Sequence, residues 1–568
     1  MSVRIEDLEG MQYPRGGTEF QQQDYAYFNQ QYATSTHQVD HDMNPSLIVQ
    51  PKGDDDVIRT VKWAKDNKVA VAVKSGGHQY SGASSTGGKN IQIDLSNTYK
   101  DMMVYNPNGL ANKTYVYAGV SNQLKEFNAY LAYNKLFVPH GQCAYVCVGG
   151  HAQTGGYGQL GRSFGLFGDH VRSIRMIDYN GALTEVTKDT DPDLFWAILG
   201  GSPGNFGIIT HYVIEVYQAS DYMGTVEGPN GFKGPHGLKG LWLYNSKVLT
   251  ELLNYVAKMS DDANFPRNYD LCVSVLSTDF PVTTLFPELR DASIWEKIQA
   301  KIKNHFADEF LDLLNGTFPA IIVVYAQWCP VNKGDKYDST VDHWFQQFRD
   351  LGSLFKDLAL RVNEWDKDMA TMTGEWIFPN KREFDLPYVK RTYSTNQRNL
   401  SKNKWVDTVV QRLDLIYNPD HYLNGEPGQE NYERYLNCKL SVQIQNYGGN
   451  FARFTTNQNN GTSYSWRDSS IVQTLDCFHN TDDDSKTYAE KWAAENDGLM
   501  NGPSGVFSPV DRRVLWGSWG DWNMSDPKVW KCYYEDESKY KKLGDQRAKA
   551  DPNGTFTPNP FAVSASRI

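Results

Sequence analysis

Two periods alternate along the first part of the chain. The run SLIVQP (46–51) is short, apolar and β-branched, which predicts a strand. Residues 54–68, DDDVIRTVKWAKDNK, carry apolar positions at helical spacing behind three aspartates that suit a helix N-terminus. VAVAVK (69–74) predicts a second strand ending at Gly76 and Gly77, so a β-α-β unit is expected. Beyond it, NIQIDLS and KTYVYAGV read as strands, Asn122 to Tyr133 as a helix, and RSIRMIDYNGALTEVT as a hairpin turning at Asn180-Gly181. DPDLFWAILGG reads as a helix closed by glycine, and NFGIITHYVIEVY as a long strand. Residues 1–45 are polar and rich in Gln and Tyr, and are expected to form an arm over the body.

From about residue 219 the pattern changes. Helical spacing over 247–259, 293–314 and 340–356 is interleaved with strand-like runs LCVSVLS, AIIVVYAQW and KLSVQIQNY. This mixture predicts an α+β fold, with an antiparallel sheet backed by helices in the second part. From about 481 the tail has helical spacing at 485–496 and 538–549, a Trp-rich patch VLWGSWGDWN, and the closing run ADPNGTFTPNPF. The expected organisation is one unit over 1–218, a second over 219–480, and a segment 481–568 returning to the first.

A length of 568 residues supports two or more packing units, because single cores stop growing near about 250–300 residues. A net charge of −11 without a long Lys/Arg cluster argues against a nucleic-acid or anionic-membrane partner. No apolar run approaches the roughly 20 residues of a membrane span, and the N-terminus has no secretory h-region, so a soluble protein is expected. The seven cysteines are scattered and odd in number, which favours the cytoplasm; six Asn-x-Ser/Thr triplets leave a mature secreted protein open. The 34 Tyr and 15 Trp would suit a cleft that stacks on sugars or planar rings, beside their ordinary structural use.

The stretch FVPHGQCAYVCVGGHAQTGGYGQLGRSFGL (137–166) changes this picture most. Glycines at this density cost entropy in helix or strand and point to positive φ or close approach to something large, such as a cofactor. A second glycine cluster, KSGGHQYSGASS, carries His78 at a strand-to-loop junction. The motifs KSGGHQYSG, GQCAYVCVGGHAQTGGYGQLGRSFGL, DLFWAILGGSPGNFGIITHYVIEV and DPNGTFTPNPF resemble, in order, those of the berberine bridge enzyme-like branch of the vanillyl-alcohol oxidase (PCMH-type) flavoprotein superfamily. The resemblance implies a two-subdomain FAD-binding domain plus a substrate domain. It implies FAD tethered twice, at the 8α-methyl by His78 and at the 6-position by Cys143. It further assigns to the cofactor Ser75, Gly76, Gly77, Gln79, Ser81, Gly82, Val148, Gly149, Gly150, Gly155, Gly156, Gly158, Leu160, Gly207, Ile208, Ile209 and Asn559, and it assigns no metal ligands. A surface histidine in a tight turn and a buried free thiol are the plain structural alternatives for His78 and Cys143.

In that family the residue three after the tethering cysteine lies near the dioxygen-reactive carbon, and valine there accompanies oxidases; Val146 therefore implies an oxidase releasing hydrogen peroxide. The base departs from the pattern. Gln445, Tyr447 and Arg453 stand where Asp, Tyr or Glu is expected, and Trp516, Ser518 and Trp519 replace Tyr, Asn and Tyr. Gln and Trp accept no proton near neutral pH, leaving Tyr447, which needs a lowered pKa or a partner such as Arg453. Tyr447 packing in the core and Arg453 pairing at the surface is the equal alternative. The implied reaction moves hydride from a C–H beside an OH or NH to FAD. The substrate is a secondary metabolite, or alternatively an oligosaccharide oxidised to a lactone. A flavin-binding protein without oxidase turnover, or a non-redox cyclase, is a third reading.

Overall fold

The computed structural model describes residues 4–17, 43–79, 81–106, 113–226, 234–276, 290–303, 320–377, 388–396, 400, 404–417, 438–480, 483–498, 514–515 and 523–566. Trp516, Ser518 and Trp519 lie outside these, as do most of the expected N-terminal arm and the second half of the expected helix 293–314. It is a mixed helix and sheet protein, as the sequence predicts, with three principal sheets.

The expected β-α-β unit forms: strand Leu47–Gln50, helix Asp54–Asp66 and strand Val71–Lys74. A third strand, Ile91–Asp94, inserts between the two and pairs parallel with both. The helix buries Val57, Thr60, Val61 and Ala64 against this sheet. Its acidic first turn also ties down the N-terminal segment, since Asp56 accepts from the backbone N–H groups of Glu9, Gly10 and Lys52 at 2.8–2.9 Å. The second sheet is antiparallel and centres on the long strand Ile208–Gln218, flanked by Thr114–Gly119 and by the hairpin Val171–Ile177/Leu183–Thr187. Both sheets share one core.

The third sheet has seven antiparallel strands in the order Ala359–Asp366, His236–Leu243, Ile321–Trp328, Tyr269–Leu276, Lys439–Asn446, Ile471–Phe478, Tyr388–Thr395. Alternate residues on each strand face opposite ways. Leu271, Val273, Val275, Leu440, Val442 and Ile444 therefore join a second core with helices Ser246–Asp261, Ser339–Leu354 and Trp405–Tyr417. The residues between them, among them Ser274, Ser441, Gln443 and Gln445, face the other way, toward the first unit.

The tail returns to the first unit over residues 514–515 and 523–566, with Val514, Met524, Trp530, Phe556 and Phe561 in its core. Val71 N–H donates to the Thr555 carbonyl and Thr86 Oγ1 to the Pro558 carbonyl, both at 2.7 Å. The return does not begin at 481. Helix Asp483–Gly498 packs on strands Tyr388–Thr395 and Ile471–Phe478, and Trp492 is buried in the second core with the Arg412 guanidinium donating to its carbonyl at 2.9 Å. A tryptophan of that size settles where a large apolar face is already available, and the sheet supplies one. Among the described residues, no helix is long and apolar enough to cross a membrane.

Candidate active site

A cleft of about 1830 Å³, open solvent at its mouth included, separates the first unit from the polar face of the seven-stranded sheet. Two loops of the first unit bring chemistry to it. The first follows strand Val71–Lys74, whose end is pinned by a buried Lys74–Asp94 ion pair of 3.1 Å. Gly77 then takes φ +69°, a conformation costly for any residue with a Cβ, and turns the chain so that Ser75, Gly76, Gly77, His78 and Gln79 line the cleft. Gln79 Nε2 donates to the Leu515 carbonyl at 2.7 Å.

The second loop is a tight turn in which Val146 N–H donates to the Cys143 carbonyl at 3.3 Å. Leu124 and Lys125 at the start of a helix donate in turn to the carbonyls of Val146 and Ala144. This pinning presents Cys143 and Val146 at the cleft wall, both half-buried. Cys147 also borders the cleft, but burial holds its thiol up at about 12, and its Sγ is only 3.1 Å from where a Cβ on Gly76 would sit. Of the two cysteines, Cys143 is the accessible one.

The glycines divide into two kinds. A Cβ added to Gly150 or to Gly204 meets no protein atom within 4 Å and would project only into the cleft. Such bare backbone, lining the same cleft as His78 and Cys143, fits a large flat cofactor. By contrast, a Cβ on Gly158 would lie 2.1 Å from the His140 carbonyl oxygen, and one on Gly156, at φ +74°, would lie 2.4 Å from Phe167 Cβ. Those two are demanded by the chain's own packing, although both border the cleft. Gly149, Gly207 and Ile209 also line it.

Ser81, Gly82, Val148, Gly155, Leu160, Ile208 and Asn559 stand behind the wall. Ser81 accepts from Gln79 Nε2 at 3.1 Å, and Asn559 Nδ2 donates to the Ser85 carbonyl at 2.8 Å, tying the tail to the loop beyond His78. Val148 begins helix Val148–Gln153, and Ile208 begins the central strand. Gly155 and Leu160 take positive φ in the turns on either side of Gly158.

Across the cleft, Gln445 and Tyr447 are buried at the end of strand Lys439–Asn446. The Tyr447 hydroxyl donates toward the Gly158 carbonyl and Gln445 Oε1, each at 3.1 Å, and burial pushes its pKa well above the ordinary value. That is a bound, core-packed donor, the alternative set beside the base role, and not the lowered hydroxyl that a base at this position needs. No hydrogen bond joins Arg453 to Tyr447 among the described residues: Arg453 is exposed on helix Arg453–Thr456, with its Cβ near Gly165.

The sequence reading missed a buried ion pair on this wall. Lys390 Nζ lies 2.7 Å from both carboxylate oxygens of Asp476, and the two side chains are only 1% and 2% exposed. The available signal was a charged residue at an inward alternation position in each of YVKRTYST and IVQTLDCF, next to Thr474 and Ser441. Tyr325 and Trp376, ring centroids 5.5 Å apart, close the wall; neither the Tyr325 hydroxyl nor the Trp376 indole N–H has a hydrogen-bond partner among the described residues.

Residues 45–187 match the family described as FAD binding domain. Berberine bridge enzyme-like 19 of Arabidopsis thaliana is 29% identical over 268 residues, 44% of this chain and 46% of that protein, so the match spans about half that relative's length. Berberine bridge enzyme-like 21 of the same plant is 33% identical over 448 residues, 72% of this chain and 76% of its own. Among solved structures, glucooligosaccharide oxidase from Acremonium strictum, described with a 6-S-cysteinyl, 8α-N1-histidyl FAD, aligns over 99% of this chain and 98% of its own at a TM-score of 0.64 and 13% identity. 6-Hydroxy-D-nicotine oxidase from Arthrobacter nicotinovorans aligns over 99% of both chains at a TM-score of 0.64 and 16% identity. At those identities the two structures speak for the fold alone. The long match at one-third identity, the FAD binding domain and the cleft with His78 and Cys143 together mean that this chain belongs to the berberine bridge enzyme-like family of FAD-linked oxidoreductases.

Proposed function

We propose that the protein is an FAD-dependent oxidase that removes hydride from a C–H beside an OH or NH of a small organic substrate, with dioxygen as final acceptor and hydrogen peroxide as product. The observation that carries this reading is that His78 and Cys143, on separate loops, border one cleft whose glycine wall leaves room for the cofactor and whose opposite wall is polar. When bound, FAD supplies the hydride-accepting chemistry. His78 and Cys143 hold it covalently. The bare backbone of Gly150 and Gly204 gives it contact surface, and Val146 borders the side from which dioxygen arrives. The division into an FAD-binding unit over 1–218, a substrate unit from 219, and a returning tail is proposed with it, the substrate unit reaching to about 498 because Trp492 belongs to the second core.

The substrate is a secondary metabolite in the leading reading. A specific observation favours the second: Ser274, Ser441, Gln443, Thr474 and the Lys390–Asp476 pair line the sheet wall, and such a run of donors and acceptors suits a polyhydroxylated molecule. The test is anaerobic mixing of the purified holoprotein with cellobiose, xylobiose, benzyl alcohol and nornicotine. Bleaching of the flavin band by at least one, with peroxide released on readmitting air, is the expected result. A band unmoved by all four contradicts the oxidase reading.

A further inference from the structure

We propose that Asp476 is the catalytic base, held in place by Lys390. This rests on the oxidase reading above and supplies the group that Gln445, Tyr447 and Arg453 do not. Asp476 is the only carboxylate among the described residues that line the cleft.

Two tyrosines that also line the cleft, Tyr157 and Tyr325, hold their protons, since burial pushes both hydroxyls well above the ordinary value, and the remaining titratable groups are already committed. The Tyr447 hydroxyl donates to Gly158 and Gln445. His151 Nε2 accepts the Gly141 N–H at 2.8 Å, so its one free lone pair in the neutral ring is used. His78 and Cys143 are the proposed tethers, and Cys147 is buried beneath Gly76.

Asp476 is also well placed. It faces Ser441 across one strand pair and Lys390 across the other, in register. It lies one inward position, about 7 Å along the strand, from Thr474. Thr474 pairs with Gln443, and Gln443 Nε2 donates to the side chain of Gln142, the neighbour of Cys143. The carboxylate therefore overlooks the part of the cleft where a ring tethered at Cys143 would begin. A carboxylate at such depth keeps its charge only with a partner, and the Lys390 ammonium, 2.7 Å from each oxygen, is that partner. Lys390 is thus a positioning residue.

The substrate O–H bond breaks and its proton passes to an Asp476 oxygen. The C–H hydrogen leaves with its electron pair to the oxidant, bound FAD, while the C–O single bond becomes a carbonyl. Asp476 later returns its proton to solvent.

The experiment measures anaerobic flavin bleaching, with affinity taken from its concentration dependence, for the four probes named above across pH 5 to 9. Wild type, D476N, D476E, K390M and the neutral double variant D476N/K390M are first scored for bound-flavin absorbance and thermal midpoint. D476N and the double variant are expected to lower the limiting rate about 100-fold or more with affinity changed far less, and to lose the acid limb of the pH profile. D476E keeps most of the rate, and K390M moves the acid limb to higher pH. Bleaching by D476N or the double variant within threefold of wild type, or a slow rate with the acid limb intact, overturns the assignment while the oxidase reading stands. If D476N does not load flavin, the double variant decides by the same criteria. If no probe bleaches the wild-type flavin, the oxidase reading fails and this assignment falls with it.

Discussion

The two walls of the cleft are built on opposite principles. The wall bearing His78 and Cys143 is irregular: loops, a helix of six residues and glycines at φ no other residue tolerates well. The facing wall is regular, a sheet of seven strands, five of which turn residues into the cleft while alternate apolar residues pack into the second core. The first kind of wall advertises itself by composition, because few sequences accumulate glycines beside a histidine and a cysteine without a reason. The second hides its chemistry in ordinary alternation, where Lys390 and Asp476, 86 residues apart, meet only once strand order is known.

The contrast is sharpest among the glycines. Gly158→Ala puts a methyl against backbone at 2.1 Å and should abolish soluble expression or cost more than the about 1–3 kcal/mol usual for overpacking, with or without cofactor. A Cβ on Gly150 meets no protein atom within 4 Å, so Gly150→Leu should leave the thermal midpoint of the flavin-free protein nearly unchanged while eliminating flavin loading. Equal destabilisation by both would mean that the open space at Gly150 is not a cofactor cradle. Absorbance and calorimetry on the two proteins make the comparison.

The walls are also bolted together. Arg467, beyond the substrate strand Lys439–Asn446, and Asp169, of the first unit, form a fully buried pair at 2.5 Å, each side chain 1% exposed. Arg467→Met should cost about 3–5 kcal/mol in denaturant unfolding, since it strands a buried carboxylate, and adding Asp169→Asn should recover part of that loss. A loss below 1 kcal/mol would show that the units are joined mainly by other contacts.

A smaller, pH-dependent effect lies at the same junction. Asp270 accepts from Ser163 Oγ at 2.6 Å, and burial raises its carboxyl to about 6 from 3.8. A carboxyl whose folded pKa lies above its unfolded one stabilises the fold fully below the unfolded value, and that contribution is lost as pH rises through about 6. Asp270→Asn should therefore flatten the stability profile between about pH 4 and 6, by up to about 3 kcal/mol. An unaltered slope would contradict the shift. Smallest of all, Tyr447→Phe should cost about 1 kcal/mol of stability and leave flavin reduction within about tenfold of wild type, because its hydroxyl is a structural donor. A 1000-fold loss would restore Tyr447 as the base.

Much of the first wall was legible in the sequence. The β-α-β unit, the hairpin at Gly181, the long strand to Gln218 and the returning tail all form, and His78, Cys143 and Val146 come together from two motifs. What was not legible is non-local. The insertion of Ile91–Asp94 between its neighbours depends on sheet order, which local pattern does not encode. Nothing in the local pattern of Asp483–Gly498 tells which unit it joins, and the burial of Trp492 in the second core decides it. Gly158 borders the cleft, but its lack of a Cβ is also required by the His140 carbonyl; Arg453 follows Tyr447 closely in sequence, and the five residues between them carry it to an exposed position on a short helix.

The central claim, that His78 and Cys143 share one flavin, is tested most directly by acid-precipitating the protein and recording visible absorbance and intact mass for wild type, His78→Ala, Cys143→Ala and the double variant. The account predicts a yellow wild-type pellet carrying the mass of one FAD, colour retained by each single variant through the remaining bond, and a colourless apoprotein only when both residues are replaced. A colourless wild-type pellet at apoprotein mass, from protein whose native spectrum shows bound flavin, would contradict it.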